Sequence, residues 1–205
     1  MATIPGVMFV PHGHEVTQIP DGDWIAFGSH GGDTILGGEG NDIIFGGDGN
    51  DMIIGGHGND LIFGGDGNDL LIGGDGHDSL FGGEGSDTMI GGTGDTLMVG
   101  GQNGDLMISG HGNDTMMGGS GHDTFVFGSG GGRDVVMDFH SGDILQIQRN
   151  INGLNVSNAA DLTAHVSNDG HGNAVIDLGH GDSVTLIGIR PEDVQHDPTH
   201  FIKVN

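Results

Sequence analysis

Eleven consecutive nine-residue units run from Gly28 to Val126 with no insertion or deletion between them. They begin at Gly28, Gly37, Gly46, Gly55, Gly64, Gly73, Gly82, Gly91, Gly100, Ser109 and Gly118. The common form is Gly-Gly-x-Gly-Asn-Asp-x-U-x, with U a large apolar residue. A strict period of this kind means one small structural unit stacked many times. Nine residues cannot bury a face by themselves. The regular solution is two units per coil, 18 residues, giving two parallel sheets joined by turns. The expected fold is all-β: a parallel β-roll, a two-sheet right-handed solenoid. Positions 1 to 6 read as turn, because Gly supplies positive φ and Asn at position 5 tolerates left-handed backbone. Positions 7 to 9 read as a short strand. Five and a half coils at about 4.8 Å each give an array on the order of 26 Å long.

The apolar positions support the same coil. Position 8 holds Ile35, Ile44, Ile53, Ile62, Leu71, Leu80, Met89, Met98, Met107, Met116 and Phe125, and should point inward. Alternation then sends positions 7 and 9 outward. Position 9 is nevertheless apolar in all eleven units, and its identity alternates. Phe45, Phe63 and Phe81 fall on one sheet, and Ile54, Ile72 and Ile90 on the other. Such strips invite self-association or docking of a partner. The plainer alternative is β-propensity with half-coverage by neighbours.

Charge points to a ligand. The chain has 29 acidic residues against four Lys plus Arg, and every basic residue comes late, from Arg133 onward. The array itself holds 16 acids and no Lys or Arg. Such a surface repels nucleic acid and anionic lipid. Position 6 is aspartate in ten of eleven units: Asp33, Asp42, Asp51, Asp60, Asp69, Asp78, Asp87, Asp105, Asp114 and Asp123. One Asp-Gly turn is an ordinary surface loop. Ten in register stack carboxylates about 5 Å apart along two edges, which is unfavourable without cations. Gly-rich turns expose carbonyl oxygens, and Asp adds a carboxylate, so the donor set suits calcium, which takes six to eight oxygens. Magnesium, reluctant to shed water and strict in geometry, fits less well. Odd units place Asp33, Asp51, Asp69, Asp87, Asp105 and Asp123 on one edge. Even units place Asp42, Asp60, Asp78 and Asp114 on the other, interrupted at Thr96, whose aspartate stands one residue early as Asp95. About seven to nine ions, roughly +14 to +18, would offset the array's acids.

The flanks differ from the array. Residues 1-27 read as an N-terminal cap. Ile19-Phe27 has the length of a unit, and Trp24 takes the place of its aspartate, as suits a residue covering an open core end. Residues 127-205 read as a β-rich C-terminal cap, with strands around 133-139, 142-147, 174-178 and 182-189, and a short helix at 161-165.

The units resemble the repeats-in-toxin (RTX), or haemolysin-type, calcium-binding repeats, closely over 28-126 and more loosely through Asp123-Phe127 and Gly132-Phe139. The tail Val184-Ile189 and His200-Ile202 is similar to the C-terminal region of secreted proteases, lipases and epimerases with such arrays. The resemblance implies a parallel β-roll with calcium on the position-6 aspartates. It also implies export by a type I system that reads an uncleaved C-terminal signal. Asp134 and Asp138 are candidate end-site ligands. Thr96 departs from the pattern, and no ligand role is carried onto it.

Other functions find less support. There is no cysteine, no apolar run long enough to span a membrane and no ordinary signal peptide at the N-terminus. Neither H-E-x-x-H nor G-x-S-x-G occurs. His12-Gly13-His14-Glu15 has metal-capable side chains but reads first as a polar turn. His30, His57, His77, His111 and His122 occupy turn positions in the units. Only 27 residues precede the array, too few for a catalytic domain. The expectation is therefore a non-catalytic, extracellular calcium-binding module for structure or interaction. The alternatives are the folding and secretion module of an enzyme, or a virion or surface-layer component.

Overall fold

The computed structural model describes residues 5–11 and 16–205. The His12-Gly13-His14-Glu15 segment lies outside the described residues. Two sheets face each other along the chain. One contains Gly6–Phe9, Trp24–Phe27, Ile43–Asp48, Leu61–Asp66, Ser79–Glu84, Leu97–Gln102, Thr115–Ser120 and Arg133–Val136, and is called the Phe sheet below. The other contains Val16–Gln18, Thr34–Glu39, Met52–His57, Leu70–Asp75, Thr88–Thr93, Leu106–Ile108, Thr124–Phe127 and Ile144–Ile147, and is called the Ile sheet. Within these sets every pairing is parallel. Ile44 pairs with Ile62 and Ile53 with Leu71, so the coil is 18 residues and the roll is the expected two-sheet parallel solenoid.

Strands in the array are longer than predicted. Most run six residues, from position 7 of one unit through position 3 of the next, as in Ile43–Asp48, while Leu106–Ile108 and Thr124–Phe127 are shorter. The Gly-Gly pair therefore continues the ladder, and the turn shrinks to positions 4 to 6. Adjacent coils touch at position 1, where a methyl group on Gly37 would collide with the Gly55 carbonyl. Only Gly allows two backbones to approach that closely.

The turn chemistry also needs correction. Left-handed backbone falls at positions 2 and 4, for example Gly47 (φ 111) and Gly49 (φ 128), with Asn103 (φ 67) replacing Gly in one unit. Asn at position 5 is not left-handed in any unit. Instead its side-chain oxygen accepts from the backbone one coil later: the Asn59 N–H donates to Asn41 Oδ1 at 2.9 Å and the Asn68 N–H to Asn50 Oδ1 at 2.8 Å. The residue is selected for a coil-to-coil hydrogen bond, which a reading of one isolated turn misses.

Every position-8 side chain in the array is fully buried, from Ile35 to Phe125. Positions 7 and 9 lie half-covered on the outer faces. The roll also extends beyond the units at both ends. Trp24 does not close the core, because Gly6–Phe9 lies outside it and the indole packs under Gly6. At the other end, Asp182–Leu186 and Ile202–Val204 add parallel strands to the Phe and Ile sheets. Ala174–Gly179 and Val166–Asn168 then finish the Phe sheet as antiparallel strands. The expected short helix is a 3-10 segment, Ala159–His165, with an Asn158/Asp161 capping box. Ring contacts tie this region to the roll, Phe125 tilted against Phe139 at 5.9 Å and Phe139 stacked on Phe201 at 6.0 Å.

Candidate metal centre

All but one of the turns end in an aspartate, and along both edges its carboxylate is held by a backbone N–H of the coil before it. Along the odd edge, where the chain enters the Ile sheet, the Asp33 N–H donates to Asp51 Oδ1 at 2.7 Å. The same bond joins Asp51 to Asp69, Asp69 to Asp87 and Asp87 to Asp105 at 2.8 Å, and Asp105 to Asp123 at 2.9 Å. Along the even edge, where the chain enters the Phe sheet, Asp42 bonds to Asp60 at 2.8 Å and Asp60 to Asp78 at 2.9 Å. The run resumes from Thr96 to Asp114 at 2.8 Å. The structure thus gathers the ten predicted aspartates into two rails. All ten are no more than 3% exposed.

One oxygen of each pair is satisfied in this way, and the other mostly is not. Among the described residues, Oδ2 of Asp42, Asp51, Asp60, Asp69, Asp78, Asp87, Asp105, Asp114 and Asp123 is buried with no hydrogen-bond partner. A buried ionised oxygen without a partner is strongly unfavourable. Burial accordingly pushes these carboxyls up: to about 6 for Asp42, Asp51, Asp60 and Asp69, and to about 7 for Asp105 and Asp114. The N–H bond from the preceding coil opposes the rise, and for most of them a neighbouring carboxylate adds to it. Asp78, Asp87 and Asp123 are raised for the same leading reason.

The orphan oxygens have a common destination. Beside Asp51 Oδ2 lie the Cα of Gly46 and the carbonyl of Gly64. A methyl group on Gly46 would strike both oxygens. The same cradle recurs at Gly55 with Asp60, Gly64 with Asp69, Gly73 with Asp78, Gly82 with Asp87 and Gly100 with Asp105. A carboxylate oxygen and a carbonyl oxygen therefore meet in a small space that only Gly leaves open. No group of three or more His, Cys, Asp or Glu side chains converges as a metal site among the described residues. A cation here has to draw much of its shell from backbone carbonyls, which is the donor chemistry of calcium rather than of a transition metal. The residues present fit that ion.

Two ends of the odd rail depart from the pattern. Asp33 Oδ2 accepts from the Ser29 N–H at 2.7 Å and the Ser29 hydroxyl at 3.0 Å, because Ser29 stands where most units have Gly. Asp143, which the period did not single out, extends the rail: the Asp123 N–H donates to its Oδ1 at 3.0 Å. Its signal was present in Gly142-Asp143-Ile144-Leu145, but 20 residues separate it from Asp123 instead of 18. Asp134 extends the even rail through the Asp114 N–H at 2.9 Å, and burial raises its carboxyl to about 8. Asp138 does something else. Its two oxygens accept the Gly118 and Gly119 N–H groups at 2.9 and 2.8 Å. At the start of the even rail, Trp24 donates its backbone N–H to Asp42 Oδ1 at 2.9 Å but brings no carboxylate of its own.

The RTX calcium-binding nonapeptide repeat matches residues 27–62, 54–89, 63–98, 90–125 and 99–136. No curated protein matches the chain. Among solved structures, that of the extracellular lipase LipA from Serratia marcescens aligns with a TM-score of 0.41 at 20% identity, over 91% of this chain and 40% of the lipase. The chain thus spans less than half of that protein's length.

Proposed function

Because the chain belongs to the RTX calcium-binding nonapeptide repeat family, we propose that it is a calcium-folded, non-catalytic module that works outside the cell. The single observation that supports this best is the set of nine buried carboxylate oxygens without partners, six of them (on Asp51, Asp60, Asp69, Asp78, Asp87 and Asp105) beside a glycine cradle. Asp42, Asp51, Asp60, Asp69, Asp78, Asp87, Asp105, Asp114 and Asp123 would hold the ions, with Asp33 a weaker contributor behind Ser29. Bound calcium would supply positive charge and complete the donor shells. About seven to nine ions would serve both rails. Without them the folded array concentrates buried negative charge, and the chain is largely unfolded.

Extracellular calcium modules bind at roughly 10⁻⁴–10⁻³ M. Such affinities would leave the chain unfolded in a low-calcium cytoplasm and fold it after export, consistent with a type I secretion route. Neutralising the array also removes the repulsion between copies. The outer face of the Phe sheet then becomes adhesive: Phe9, Phe27, Phe45, Phe63 and Phe81 stack with ring centroids 5.5, 5.1, 4.9 and 4.9 Å apart. Self-association of loaded rolls through this strip is the interaction we assign to it. Calcium titration followed by circular dichroism and light scattering together tests both parts. A β-type signal that rises with calcium, followed by an increase in mass that Phe45→Ser/Phe63→Ser abolishes, is the expected result. Full β signal in excess chelator would refute the folding role, and a monomer at millimolar calcium would refute the assembly role.

A further inference from the structure

The even rail breaks at one unit, Gly91-Val99, and the break has its own architecture. Thr96 takes the rail position and is 2% exposed, yet its hydroxyl has no hydrogen-bond partner among the described residues. The backbone is undisturbed: the Leu97 N–H donates to the Asp78 carbonyl and the Thr115 N–H to the Thr96 carbonyl, each at 2.9 Å. A cavity of about 390 Å³ opens beside the break, lined by His77, Asp78, Asp95, Thr96, Asn113 and Thr115 among others. The unit's carboxylate has moved one residue back and outward. Asp95 is exposed, and its Oδ1 accepts from the Asn113 N–H at 2.7 Å and the Asn113 side-chain amide at 3.1 Å. Its own N–H donates to His77 Nδ1 at 3.2 Å.

The break therefore keeps its negative charge but withdraws it from the rail. Long-range attraction of a cation depends on total charge, and Asp95 preserves it. Retention depends on the donors in contact with the ion, and between Asp78 and Thr96, and again between Thr96 and Asp114, a neutral hydroxyl replaces one of two carboxylates. Affinity for calcium is tuned by the charge count of the donors. We propose that the two positions flanking Thr96 form a separate, weak class of calcium site, which fills last and sets the calcium level at which the even edge closes. This rests on the calcium-binding reading of the rails.

The test is calcium binding to the whole chain by titration calorimetry, with the wild type, Asp95→Asn/Thr96→Asp, which rebuilds the Asn-Asp pattern, and Thr96→Val. The wild type should show two classes with affinities separated roughly tenfold, the weak one accounting for about two ions. In Asp95→Asn/Thr96→Asp the weak class should join the strong one. In Thr96→Val it should weaken further while the strong class stays unchanged. Hydrogen exchange at a calcium level between the two classes should then be fastest, within the array, over residues 91–97. One class in the wild type, or a weak class that ignores both variants, overturns the inference while leaving the rails as calcium sites. Absence of any calcium binding overturns both.

Discussion

The two carboxylate edges are made from the same nine-residue unit and differ in continuity. The odd edge runs unbroken from Asp33 to Asp143 through seven aspartates. The even edge starts on the backbone N–H of Trp24, loses a carboxylate at Thr96 and resumes through Asp114 to Asp134. The sheets do not register this difference, because the position-8 core and the backbone ladder are continuous on both sides. Backbone register and carboxylate placement are thus separable in this chain. Core residues set the first, and one residue per turn sets the second.

The largest effect should come from cutting the strong edge in its middle. Asp69→Asn/Asp87→Asn removes the carboxylates that serve consecutive odd turns, and the calcium midpoint for folding should rise about a hundredfold. Asp60→Asn/Asp78→Asn on the interrupted edge should raise it about tenfold. Circular dichroism across a calcium series reads both, and equal shifts would erase the distinction between the edges.

Next in size is steric. Gly64→Ala and Gly73→Ala each place a methyl group against an aspartate oxygen and a facing carbonyl, one on each edge. Each should destabilise the loaded roll by about 3 kcal/mol. Thermal melts in saturating calcium measure it. Because both edges share this cradle, similar losses are expected from the two variants.

The pH response follows from the raised carboxyls. Burial pushes the carboxyls of Asp51 and Asp60 from 3.8 up to about 6, and those of Asp105 and Asp114 up to about 7, in the metal-free roll. Between those values the roll holds protons that the unfolded chain has released, so stability falls as pH rises through the window. In chelator, the β signal should therefore be greater near pH 4.5 than near pH 8. With calcium present the order should reverse, since the ions need ionised carboxylates. A metal-free chain that gains structure with rising pH would contradict the burial argument.

The smallest effects belong to the ends of the odd edge. Asp143→Asn should raise the calcium midpoint about threefold and Asp33→Asn by less than about twofold, because Ser29 already satisfies the latter's second oxygen. Calcium titrations of the two variants separate them.

Much of this was legible in the residues. The nine-residue period gave the 18-residue coil, the inward Ile, Leu and Met series, the parity of Phe and Ile and the two aspartate edges. What stayed hidden depends on contacts between coils. Asn41 and Asn59 look like left-handed turn residues until the next coil is in place to donate to them. The strands exceed the length the residues suggest because Gly-Gly reads as turn, although its lack of side chains is what lets adjacent ladders pack. Asp143 was masked by a two-residue insertion that the loop before it absorbs. Gly6–Phe9 belongs to no unit, and only its pairing with Trp24–Phe27 brings it into the roll. The antiparallel finish at Val166–Asn168 left no periodic signal at all.

If the rails hold together only when cations meet their buried oxygens, the exchange of their amides must depend on calcium. Amide hydrogen exchange at pH 7 reads the rails directly, through the N–H groups of Asp51, Asp69, Asp87 and Asp105, which donate to the carboxylate of the next coil. The expected result is strong protection in millimolar calcium and near-complete loss of protection in excess chelator. Equal protection in both would show that the roll stands without metal and would contradict the account.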